Sequence, residues 1–256
     1  MIATRTHGEG PAVLWIHGYT MDSSTWQPLW DRLPGWRHVG ADLPGHGASD
    51  PMPRDITLPR LAAELTAVAK AESAERLIAL SFGSCVALQV VIDEPELMSH
   101  VVLGAPTIAG AAVDPYAERR YKELAMLKRF AGPGELMADR WMQSPPDIFR
   151  GTEKHPTVRA ALRKVIVKHP FTELNTGAMR SLTNHVHTDA DLRRITAALL
   201  AIVGDEDMPA FIDNAARLHD VIDADVITVP GAGHLPLLER PDAVAAAIDD
   251  HLRRPI

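Results

Sequence analysis

The chain has 256 residues, 46% of them apolar and 23% charged, a balance that fits one globular domain or one domain with an insertion. A formal net charge of −7 argues against a general nucleic-acid binder. One cysteine excludes an internal disulfide framework and a cysteine-rich zinc site. That usage suits a reducing, cytoplasmic setting. Met1 to Arg5 lacks the long apolar core of a signal peptide, and no segment approaches the roughly 18 apolar residues of a membrane span.

In chain order, short apolar runs alternate with helical patterns. Val13-Leu14-Trp15-Ile16 reads as a buried strand stopped by His17-Gly18. Ser23 to Leu33 reads as a helix, capped by Ser23 or Ser24, with Trp26, Leu29, Trp30 and Leu33 on one face. A second strand, His38 to Ala41, enters the tight loop Asp42-Leu43-Pro44-Gly45-His46-Gly47. Thr57 to Ala71 repeats Leu58, Leu61, Leu65 and Val68 at helical spacing. A strand over Leu77 to Leu80 runs into a helix over Ser84 to Ile92, and Val101 to Leu103 supplies a further strand. Later come strands at Ala198–Val203 and Asp225–Val229 with a helix from Pro209 to Val221 between them, then a closing Ala-rich helix, Leu237 to Leu252. Continuous apolar strands separated by helices predict an α/β fold, a mostly parallel sheet with helices on both faces. Ligands of such sheets bind beyond the carboxyl ends of the strands.

From Thr107 to Ile195 the alternation stops. No convincing strand occurs, and helical patterns are cut by Gly132-Pro133-Gly134, Pro145-Pro146, His155-Pro156 and His169-Pro170. The expected organisation is a core of residues 1–106 and 196–256 with a helical cap inserted at 107–195, because the βαβ rhythm resumes afterwards.

The polar clusters sit at the strand ends. Between the strand ending at Leu80 and the next helix lie Ser81, Phe82 and Gly83, a hydroxyl at a sharp corner facing a helix N-terminus. A serine nucleophile needs a base, an orienter for that base and donors for an oxyanion. The base candidate is His234, on the glycine-rich loop Pro230-Gly231-Ala232-Gly233. The orienter comes from Asp205, Glu206 or Asp207, in the turn after Val203. The competing reading of those acids is capping of the following helix. Oxyanion donors are expected from the backbone N–H of Phe82 and from the His17-Gly18-Tyr19 turn, at Tyr19.

Together these features resemble the α/β-hydrolase family. The residues that carry the resemblance are His17-Gly18-Tyr19, Asp42 to Ser49, Ala79-Leu80-Ser81-Phe82-Gly83, Gly204 to Asp207 and Gly231 to His234, in the order Ser, Asp, His. The resemblance implies Ser81 as nucleophile, Asp207 as the acid in preference to Asp205, and His234 as base. It implies a structural role for His46 and no cofactor. One position departs from the G-x-S-x-G elbow, whose first glycine is here Ala79. A serine at the elbow argues against the haloalkane dehalogenase and epoxide hydrolase branches, which use aspartate there.

The implied function is hydrolysis of a carboxylic ester, thioester or lactone through an acyl-enzyme on Ser81. C–C bond hydrolysis, acyl transfer and carrier-protein thioester cleavage use the same triad, and a cap-gated receptor with little turnover is the alternative of a different class. Met126, Met137, Trp141, Met142, Phe149 and Phe171 are the apolar pocket candidates of the cap, of which two or three are expected to reach the cleft. Cys85 reads as a buried thiol beside the elbow. His169, His185 and His187 read as surface or cap residues, and no metal is called for. The cap carries fifteen Lys or Arg against ten Asp or Glu, and the remainder eleven against twenty-three. A basic cap over an acidic body would steer an anionic or carrier-bound acyl substrate. The plainer explanation is that these cations solvate helix faces. The oligomeric state is not legible.

Overall fold

A computed structural model describes residues 1–110 and 114–255. Strands form at Thr4–His7 (β1), Ala12–Ile16 (β2), Arg37–Ala41 (β3), Arg76–Leu80 (β4), His100–Gly104 (β5), Ala198–Gly204 (β6) and Asp225–Val229 (β7). They make one sheet in the order β1-β3-β2-β4-β5-β6-β7. Every pairing is parallel except that of β1, which runs antiparallel to β3 at the edge.

The inner strands β2, β4, β5 and β6 are apolar runs because both faces of the sheet are covered there, whereas the edge strands β1 and β7 are largely exposed. Leu14, Ile16, Leu77, Ala79, Val101 and Leu103 face one core, shared with Leu58–Ala71 (α2) and Phe82–Asp93 (α3). Val13, Trp15, Ile78, Leu80 and Val102 face the other, shared with Gln27–Trp30 (α1) and Pro241–Arg253 (α12). Residues 83–92 of α3 are all buried, so this helix shows no polar stripe.

Where the fold departs from the sequence expectation, local chemistry explains it. β1 is Thr-Arg-Thr-His, exposed at all four residues, and offers no hydrophobic signal. The helix expected over Ser23 to Leu33 is shorter: a 3₁₀ turn at Ser23–Trp26 followed by α1. Its cap is Asp22 rather than a serine, with Oδ1 accepting from Ser24 N at 2.9 Å. The closing helix is split into Pro236–Glu239 (α11) and α12. Arg240 precedes Pro241, which bars it from the helical region, and it takes φ −130°, ψ 52°.

Between β5 and β6 the described residues contain helices and no strand. They are Pro115–Ala131 (α4), Glu135–Trp141 (α5), Pro156–Ile166 (α6), Glu173–Thr176 (α7), Ala178–Thr183 (α8) and Asp189–Leu192 (α9), with 3₁₀ turns at Asp147–Phe149 and Gly151–Lys154. Two arginines knit this interval together. Arg120 donates to Glu123 and, at 2.8 Å, to the Pro145 carbonyl; Arg159 donates to the carbonyls of Phe149 and Met142 at 3.0 and 3.1 Å. Helix α10, Pro209–Ile222, joins β6 to β7. Among the described residues no helix is long and apolar enough to cross a membrane.

Candidate active site

The parallel strands end along one edge of the sheet, and five loops meet there. The β4–α3 corner is the sharpest. Ser81 is held at φ 54°, ψ −124°, a region that costs a non-glycine residue of order 1–3 kcal/mol. Its neighbours enforce it: Ser81 N donates to Gly104 O at 2.8 Å, and Ser84 donates from both N (2.8 Å) and Oγ (2.5 Å) to the Ser81 carbonyl. Gly83 allows the corner to form. A Cβ there would stand 2.5 Å from the carbonyl oxygens of both Ile16 and His17. Ala79, the departure from the elbow pattern, is accommodated as a fully buried member of the α2–α3 core.

Ser81 Oγ lies 2.8 Å from His234 Nε2. On the far side of the ring, His234 Nδ1 lies 3.0 and 3.3 Å from the two carboxylate oxygens of Asp207. A carboxylate can only accept, so Nδ1 carries the proton and Nε2 is left as the acceptor for the serine hydroxyl. Both His234 and Asp207 are buried. The three acids of the β6–α10 turn take separate partners. Asp207 faces His234, Asp205 accepts from Gly231 N at 2.7 Å, and Glu206 pairs with Lys154. Phe211, which the sequence did not single out, lies against the imidazole with ring centroids 4.1 Å apart.

The β2 turn packs against the serine. A Cβ on Gly18 would sit 3.4 Å from the Ser81 Cβ. Phe82 is the first residue of α3, so its N–H has no intrahelical partner. Among the described residues, neither the Phe82 nor the Tyr19 N–H donates to a protein acceptor. The turn is fixed from behind. His17 accepts from Leu43 N at 3.0 Å, and His46 accepts from Thr20 N at 3.1 Å. Burial pushes the pKa of both imidazoles down, which keeps them neutral acceptors. Asp42 binds Ser23 N and Ala48 N at 2.8 Å each, holding the proline-glycine loop under the turn.

The pocket candidates divide. Met126 is 64% exposed on α4, whereas Met137, Trp141, Met142, Phe149 and Phe171 are buried. Trp141 reaches the β2 turn: its Nε1 donates to Thr20 Oγ1 at 2.8 Å, and its ring lies 5.6 Å from that of Tyr19. Phe171 packs on His169, whose Nε2 meets the Glu173 carboxylate at 3.1 Å; the same carboxylate accepts from the Tyr19 hydroxyl. His187 bonds Gln89 and Ala109 N, and among the described residues no group of three metal-ligating side chains gathers. Cys85 is buried, and burial pushes its thiol up to about 12. Two open grooves, of about 660 and 390 Å³, lie between the Asp22–Ser24 segment and α6 and beside β1. Neither is lined by Ser81, Asp207 or His234.

A family model described as the alpha/beta hydrolase family matches residues 13–247. The chain belongs to the alpha/beta hydrolase family. It is 27% identical to the pimeloyl-[acyl-carrier protein] methyl ester esterase of Xylella fastidiosa (strain M23), over 94% of each chain. The protein of the same name from Nitrosomonas europaea is 26% identical over 97% of this chain and 98% of its own. Among solved structures, a thermophilic esterase from Thermogutta terrifontis superposes with a TM-score of 0.81 at 24% identity, covering 98% of this chain and 93% of that one. The enol-lactonase from Burkholderia xenovorans LB400 gives 0.81 at 19% identity, covering 99% and 96%. These two share the fold with this alpha/beta hydrolase.

Proposed function

We propose that this alpha/beta hydrolase cleaves a carboxylic ester, with thioesters and lactones in the same chemical reach, through an acyl-enzyme on Ser81. The observation that carries the reading is the unbroken chain Ser81 Oγ, His234, Asp207, at 2.8 and 3.0 Å, on a serine held at positive φ. His234 Nε2 takes the Ser81 proton as Oγ attacks the ester carbonyl. Asp207 keeps the imidazole in the tautomer that makes this transfer possible and stabilises the imidazolium. The Tyr19 and Phe82 N–H groups receive the oxyanion, each donor contributing on the order of 3 kcal/mol in the transition state. The imidazolium returns its proton to the leaving alcohol. Water then adds to the acyl-serine with His234 again as base, releasing the carboxylic acid and regenerating Ser81.

Residues 107–195 act in this reading as the cap over the strand ends, with Trp141 the cap residue that meets the oxyanion turn. The names of the relatives favour an ester carried on an acyl chain, bound to a carrier protein, as the substrate class to test first. A lone, buried cysteine supports a cytoplasmic setting. The experiment is steady-state hydrolysis of a short p-nitrophenyl ester and of a methyl ester by wild type, His234→Ala and Asp207→Asn. Asp207→Asn should keep the fold and lose about 10⁴-fold in kcat. Undiminished turnover in either variant would overturn the assignment.

A further inference from the structure

The loop that presents His234 is gripped by a carboxylate that takes no part in the proton relay. Glu239 ends the one-turn helix α11 and is buried. Its Oε2 accepts from Gly233 N at 2.6 Å and its Oε1 from Leu235 N at 3.1 Å. These are the amides on either side of His234, so one carboxylate holds the backbone of the base on both flanks. Carboxylate bonds to N–H groups are short and about twice as strong as neutral ones.

A capping role accounts for only half of this. Leu235 is the N-cap of α11, and a side chain reaching back to the N-cap N–H is a familiar way to close a helix start. The bond to Gly233 lies outside the helix and does nothing for it. Burial pushes the Glu239 pKa up, and the two amides and the nearby His155 and His234 imidazoles offset part of that cost. Keeping a carboxylate here is therefore costly for stability alone.

The same carboxylate touches the cap. A Cβ on Gly151 would stand 2.3 and 2.5 Å from the two Glu239 oxygens, and a Cβ on Gly233 would stand 2.9 Å from the Gly151 Cα. On the sheet side, a Cβ on Gly204 would meet the carbonyl oxygens of Ala232 and Gly233 at 2.1 and 2.3 Å. Cap turn, carboxylate, histidine loop and the end of β6 thus meet at a junction with no room for a methyl group. We propose that Glu239 is the positioning residue of His234: it fixes the loop so that the imidazole spans Ser81 and Asp207, and through Gly151 it ties that placement to the seating of the cap. This rests on His234 being the base.

Glu239→Gln keeps the shape but can accept from only one of the two amides. Glu239→Asp keeps the charge and falls a methylene short of both. Each should lower kcat about 10- to 100-fold, the size of effect that a displacement of about 1 Å has on a reacting group. KM should stay within about twofold, because the substrate contacts are untouched. The rate of Ser81 labelling by a fluorophosphonate should fall in step with kcat. His234→Ala is run beside them. If it loses turnover while both Glu239 variants keep wild-type kcat, the positioning role is overturned. A Glu239 loss that appears in KM with kcat intact overturns it as well. Should His234→Ala itself keep turnover, the reading beneath the proposal fails instead.

Discussion

At the scale of single residues, the site is built as much by what is missing as by what is present. Ser81 keeps its strained backbone because Gly83 lets the start of α3 come up against the end of β2. Gly83→Ala places a methyl 2.5 Å from two backbone carbonyl oxygens, neither of which can rotate away. The expected cost is about 2–3 kcal/mol, the range of core overpacking, measured by urea denaturation. The strain should also loosen the Ser81–His234 contact and lower activity in the folded protein. An unchanged denaturation midpoint would show that the elbow relaxes freely and is not the fixed corner described here. Ser81 and His234, which the structure brings within 2.8 Å of each other, could be singled out in the sequence because hydroxyl and imidazole each sat on a small-residue loop at a strand end. The choice among Asp205, Glu206 and Asp207 was not legible from the turn itself, since all three lie within one bend. Only the fold gives them separate partners, a backbone amide, a lysine and the imidazole. Glu239 escaped notice because the closing segment read as one helix, in which a glutamate is an ordinary surface residue.

At the scale of elements, buried histidines stitch neighbours together and make stability depend on pH. His38 on β3 accepts from Trp15 Nε1 of β2 at 3.1 Å and bonds the Leu33 carbonyl at 3.0 Å. His187, before α9, accepts from Ala109 N and meets Gln89 of α3 at 3.0 Å. Both rings use one nitrogen as acceptor, so they must stay neutral, and burial lowers each to about 4 from an ordinary 6.5. Between those values the unfolded chain binds protons that the folded chain refuses. Their stabilisation is therefore complete above pH 6.5 and is lost progressively as the pH falls toward about 4. Tm should drop between pH 7 and pH 5, and His38→Gln should flatten that drop while lowering Tm at pH 7. A variant with the same pH slope as wild type would rule out this account of His38. The inner strands were visible as apolar runs because the sheet is covered on both faces there, and the exposed edge strand β7 was visible through its Val, Ile and Thr. β1 was invisible because an exposed, polar edge strand takes its place from pairing with β3 alone. The helices between β5 and β6 were foreseen as a group but not in detail, since their arrangement depends on long-range ties such as Arg159 to the carbonyls of Phe149 and Met142.

At the scale of the whole molecule, the chain is a scaffold that brings five loops to one edge of a sheet, and the helical segment between β5 and β6 touches several of them. Some of the cations of that segment are paired inside it: Arg120 and Arg140 share Glu123, Arg163 holds Asp139, and Lys122 holds Glu118. Lys154 reaches across to Glu206, in the turn that also supplies Asp207. The helical segment between β5 and β6 is thus bound to the strand-end loops by an ion pair, by Trp141 on Thr20, by Glu173 on Tyr19 and by Gly151 against Glu239. Everything in this account depends on Ser81 forming a covalent bond to the acyl group. The most direct test is the intact mass of the protein after reaction with a fluorophosphonate, followed by peptide mapping. Wild type should gain a single adduct on Ser81, Ser81→Ala should gain none, and His234→Ala should react at least about 10²-fold more slowly. Equal labelling of wild type and Ser81→Ala, or an adduct mapping to another residue, would contradict the account.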